Sequence, residues 1–117
     1  MNTRTLTFGL YADEEGLTWV RQLVADATTP RSARIIDTAV AHTLPGGMPT
    51  TEMYDILADQ WGYENPGRNP GTRELVELRV RLACSLRTWR AIRKTLIRTL
   101  CPEGMAPHTC RVPWFAA

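Results

Sequence analysis

The chain has 117 residues, enough for one buried core and too few for two. A hydrophobic fraction of 44% with 22% charged residues excludes wholesale disorder, and no apolar run reaches the length of a membrane span. The formal net charge of +2 conceals a split: residues 1–72 carry five basic and nine acidic groups, residues 73–117 nine basic and three acidic. A chain divided in this way either holds itself together head to tail or turns one basic face to a polyanion. Arg outnumbers Lys by 13 to one, which a GC-rich coding sequence explains as readily as a demand for guanidinium groups. Residues 1–8 lack the apolar run of a secretory signal, so the expected compartment is the cytoplasm, in a bacterium or a phage-infected one. Three cysteines, Cys84, Cys101 and Cys110, make no even framework, and free thiols are the expectation.

Thr3–Tyr11 alternates Thr5 and Thr7 with Leu6, Phe8 and Leu10, a period of two that predicts a strand over 3–11. Its unpaired backbone needs a partner, either the tail Cys110–Phe115 or another chain. Asp13-Glu14-Glu15 then opens a helix over about 13–27 whose apolar face is Leu17, Val20, Leu23, Val24 and Ala27. Thr29-Pro30 reads as the start of a second helix, 30–44, with Ala33, Ile36, Val40 and Leu44 inward. A third, 50–61, carries Met53, Ile56, Leu57 and Trp61 and stops at Gly62. The doubled Asn-Pro-Gly of residues 65–71 is a turn-rich loop with Arg68 at its tip. Thr72 then caps a long last helix, 72–100. The expected architecture is mainly α: one helical domain over 1–100, a bundle of about four helices with a single N-terminal strand that the tail can pair, and an irregular tail over 101–117.

The last predicted helix carries the functional argument. With Leu75 at heptad position a, the residues Leu75, Leu78, Leu82, Trp89, Ile92 and Leu96 turn inward. Arg73, Arg87, Arg90, Lys94 and Arg98 fall on the far side, with Arg68 extending the track. A row of this kind suits nucleic-acid phosphates. Three plainer explanations stand beside it. Bases near a helix C-terminus complement its dipole, long Arg stems cover apolar surface, and the acidic first half (Asp13, Glu14, Glu15, Asp55, Asp59) offers internal partners. A compact helix-turn-helix does not fit, because about nine residues follow Gly62 where a turn of ~3–4 belongs.

Little points to catalysis. Cys101, His108 and Cys110, with Cys84, lack the paired C-x₂-C spacing of a strong zinc site, and His42 sits within a predicted structural helix. Asp55 and Asp59, one turn apart, read as a solvated acidic face. No enzymatic activity, cofactor or metal is expected. Trp114 and Phe115 either fold back onto the domain or anchor in a partner's pocket. The sequence therefore predicts a small non-enzymatic binding protein that contacts DNA, RNA or a nucleoprotein complex through Arg68, Arg73, Arg87, Arg90, Lys94 and Arg98. The alternative is a protein-interaction module: a homodimer, an assembly subunit, or a small inhibitor of the kind a phage or mobile element encodes.

Overall fold

Residues 74–83 read ELVELRVRLA, and every second side chain from Val76 to Leu82 is apolar. In a computed structural model of the protein, which describes residues 2–100 and 112–116, this alternation forms a strand. The elements in chain order are β1 (Thr3–Ala12), α1 (Glu14–Thr28), β2 (Arg34–Ala41), α2 (Thr50–Met53), α3 (Asp55–Glu64), β3 (Glu74–Ala83), α4 (Leu86–Leu100) and β4 (Trp114–Ala116). The strands make one antiparallel sheet in the order β2-β3-β1-β4. A β-α-β-β-α-β order with the first and third strands central is the ferredoxin-like, or split β-α-β, arrangement. Here α2 and α3 are inserted between β2 and β3.

This overturns the mainly α helical bundle expected from the sequence. Two of its four helices are wholly or partly strand. The segment 30–44 contains β2, because Ile35, Ile36, Thr38 and Val40 are β-branched residues that pack on a pleated surface. Their i, i+3, i+4 spacing imitates a helix face over so short a run. Thr29-Pro30 does not start a helix; Thr29 is the C-cap of α1, and the Arg31 guanidinium donates to the Ala27 carbonyl at 2.6 Å. The segment 72–100 divides into β3 and α4. Leu75, Leu78 and Leu82 meet the heptad pattern, but Val76, Leu78, Val80 and Leu82 meet the two-residue one, and tertiary pairing selects the second. The helix over 50–61 breaks at Tyr54 into α2 and α3 and continues past Gly62 to Glu64. In the inserted loops the left-handed backbone at Gly46, Gly47, Gly67 and Gly71 makes the turns, as Gly allows.

One sheet face is the core. Leu6, Phe8 and Leu10 of β1 and Val76, Leu78, Val80 and Leu82 of β3 meet Val20, Val24 and Ala27 of α1 and Ile92, Leu96 and Leu100 of α4. Each of the larger side chains contributes about 1.5–3 kcal/mol by leaving water. Asp13 caps α1 by accepting from the Gly16 amide at 2.8 Å. β1 is paired on both sides, by β3 along its whole length and by Trp114–Ala116 at Phe8–Leu10.

The opposite face carries Gly9 of β1 and Glu77 of β3, and the α2–α3 junction lies on it. Thr50, 1% exposed, ties this insertion down: its hydroxyl donates to the Leu75 carbonyl at 2.6 Å and its amide to the His42 carbonyl at 3.0 Å. A Cβ added at Gly9 would collide with the buried Tyr54 ring. Gly9→Ala is therefore expected to destabilise by about 1–3 kcal/mol, seen as a lower urea midpoint at unchanged slope. Gly62→Ala, on a helix with open space around the new methyl, should instead stabilise by about 0.5–1 kcal/mol. Equal shifts in the two variants would refute this close packing.

Candidate nucleic-acid interface

α4 begins where β3 ends. Ser85 caps it: its hydroxyl accepts from the Thr88 amide at 3.1 Å, and its carbonyl from the Trp89 amide at 2.9 Å. Ile92, Leu96 and Leu100 are buried against the sheet, and that spacing decides which side chains are left outside. Arg87, Arg90, Lys94 and Arg98 follow one another at three- and four-residue intervals, all exposed on the outer side. Arg93 is half-buried on the flank. The helix holds these five bases and no acid.

The acidic half of the chain does not neutralise this row. Among the described residues the ion pairs are elsewhere, Arg79 with Glu77 at 2.5 Å and Arg81 with Asp37 at 2.6 Å, and the exposed His42 ring meets Glu74 at 2.9 Å. None of Arg87, Arg90, Arg93, Lys94 and Arg98 forms one. Arg79 and Arg81, part of the basic run in the sequence, belong to a strand and are engaged there. Beside the row runs an open groove of about 510 Å³, lined by Trp89, Arg90, Arg93, Lys94, Ile97 and Arg98. The Trp89 indole Nε1–H donates to the Thr5 carbonyl at 3.1 Å, so the ring is pinned to the edge of β1. Trp89 packs against the core as its heptad spacing implies, but half-buried and from the flank of the helix, as does Ile97. The clue was present as Trp89, Arg93 and Ile97 at four-residue intervals.

The other residues singled out from sequence lie apart. Arg68 and Arg73 sit in the loop between α3 and β3. The Arg73 guanidinium lies 4.7 Å from the Trp61 ring centroid and donates to the Pro70 carbonyl at 2.9 Å. Trp114 packs against the core, while Phe115 is 48% exposed with its ring 6.2 Å from that of Tyr54. His42 follows β2 rather than lying in a helix. Asp55 and Asp59 are exposed on α3. Cys84 is buried with a free thiol; Cys101, His108 and Cys110 lie outside the described residues. Among the described residues no three His, Cys, Asp or Glu side chains converge as metal ligands would. No helix among them is long and apolar enough to cross a membrane.

A second polar cluster was not legible in the sequence. Glu77, 3% exposed, accepts from the Tyr54 hydroxyl at 2.6 Å and from Arg79 Nε at 2.5 Å, and Arg79 Nη2 donates to the Thr43 carbonyl at 2.9 Å. These groups satisfy one another, and they clamp the insertion to the sheet.

The sequence matches no protein-family model, and comparison with curated proteins gives no match.

Burial, then the hydrogen bond to Glu77 and its negative charge, push the Tyr54 hydroxyl well above the ordinary tyrosine value, against a smaller opposing pull from Arg79. A raised folded-state value stabilises the protein fully below the unfolded value of about 10, and the gain is lost as pH climbs beyond it. Denaturation between about pH 9 and 11.5 should therefore show a steeper stability loss in the native protein than in Tyr54→Phe. Parallel curves would show that Tyr54 ionises freely in the folded state.

Proposed function

We propose that this is a non-enzymatic cytoplasmic binding protein that contacts the phosphate backbone of nucleic acid, alone or in a nucleoprotein complex, through the outer side of α4. The observation that carries the reading is the exposed row Arg87, Arg90, Lys94 and Arg98, unpaired among the described residues, on a helix with no acid. The row covers about 16 Å of helix rise. The helix dipole does not account for it. With α4 starting at Leu86, Arg87 lies in the first turn and Arg90 in the second, where cations are disfavoured and Asp or Glu would stabilise. Arg98, in the last turn, is the one base of the row that the dipole favours. Internal neutralisation does not account for it either, since among the described residues no acid, on α1 or on the insertion, lies within ion-pair distance of these bases. A polyanion supplies the countercharge that the row lacks.

Four phosphates neutralised by the row imply that log K falls with log salt at a slope of about −3 to −3.6. Raising salt from ~50 to ~200 mM should then weaken binding to generic DNA or RNA by about 50- to 150-fold. Arg90→Ala with Lys94→Ala should roughly halve that slope while changing stability by less than about 0.5 kcal/mol, because both side chains are exposed and unpaired. Absence of any gel shift at ~50 mM salt would sink the reading.

A second reading, association with protein, is favoured by one surface: Ile56 (66% exposed) and Tyr63 (86% exposed) stand outward, one heptad apart on α3. Light scattering distinguishes it. Self-association through this surface predicts a mass above 13.2 kDa that returns to the monomer value in Ile56→Asp. A monomeric native protein would rule that association out.

A further inference from the structure

We propose that α4 takes single-stranded rather than duplex nucleic acid, with a base stacked on Trp89 in the groove while the adjoining phosphates meet Arg90, Lys94 and Arg98. This rests on the phosphate-contact reading above and adds a ligand class to it. A row of cations by itself suits any polyanion. The groove is what discriminates, because an aromatic ring and an aliphatic side chain line it directly among cations.

A duplex turns its bases inward and presents this helix with phosphates alone, leaving Trp89 and Ile97 unused. Base edges in a groove offer hydrogen bonds but no π face, so a duplex gives the Trp89 ring nothing to stack on, whichever way the outer side of α4 meets it. A single strand has no such restriction. Its bases present their π faces beside the phosphates, and aromatic side chains within a cationic track are the recurring means of holding them. The Trp89 ring is already positioned by its bond to the Thr5 carbonyl, so little side-chain entropy remains to be lost on stacking. Arg90 and Arg93, in the groove wall, have planar guanidinium groups that lie flat on a base as readily as they meet a phosphate.

The test compares three probes with the native protein at ~50 mM salt: a labelled oligothymidylate of about 12 nucleotides, an abasic oligomer of the same length, and the matching duplex. Inorganic polyphosphate serves as a base-free competitor. The expected result is single-strand binding at least about fivefold tighter than to the abasic oligomer or the duplex. Trp89→Leu should weaken oligothymidylate by about 5- to 100-fold and leave polyphosphate competition unchanged, and Trp89→Phe, which keeps a ring, should restore most of the affinity. Equal affinity for the abasic and normal oligomers overturns the proposal, and that comparison needs no variant to fold. Binding of polyphosphate and duplex as tightly as the single strand would overturn it too, while leaving the phosphate reading intact. If no probe binds, including polyphosphate, the phosphate reading fails and this one with it.

Discussion

The architecture depends on β3 being buried on one face and polar on the other, in a single register. It pairs with β1 over its full length and with β2 on its other side. Val76, Leu78, Val80 and Leu82 are at most 1% exposed and form the middle of the core. Glu77 and Arg79, between them in sequence, point the other way because successive side chains of a strand alternate. A slip of one residue would drive that carboxylate and guanidinium into the apolar layer and bring the four apolar side chains out. One strand thereby sets both layers, the α1–α4 layer through its apolar face and the α2–α3 insertion through Glu77.

The placement of α4 follows from this. β3 ends at Ala83, Ser85 caps the next helix, and Ile92, Leu96 and Leu100 fit the apolar face that β1 and β3 expose. Once those three point inward, helical geometry leaves Arg87, Arg90, Lys94 and Arg98 no orientation but outward. The row is thus a product of the core, held rigidly by it, although the cations at the start of the helix work against the helix's own dipole. Local stability and surface charge disagree there.

The two polar assemblies of the molecule illustrate opposite uses of charge. At Glu77, a buried carboxylate has a partner for each oxygen, and the cluster fixes one element to another. On α4 the cations have no carboxylate partner among the described residues and are open to solvent. Arg81 and Asp37 fall between these cases. Their pair is half-exposed, and it contributes little beyond blunting the charge of the strand.

Local signals alone determined β1, through its alternation from Leu6 to Leu10, and α1, through the Asp13 cap and the Leu17–Val20–Val24 face. They also determined the charge row, because Arg87, Arg90, Lys94 and Arg98 occupy one helical stripe wherever α4 begins. Only the tertiary structure decided that residues 34–41 and 74–83 are strands. Over eight to ten residues, apolar spacings of two and of three to four overlap, and hydrogen bonds to β1 and β3, distant in sequence, choose between them. The same long-range pairing decided that Arg81 is engaged by Asp37, that Trp89 reaches the Thr5 carbonyl, and that Tyr54 meets Glu77. Those contacts join residues 23 to 84 positions apart, and no local pattern encodes them.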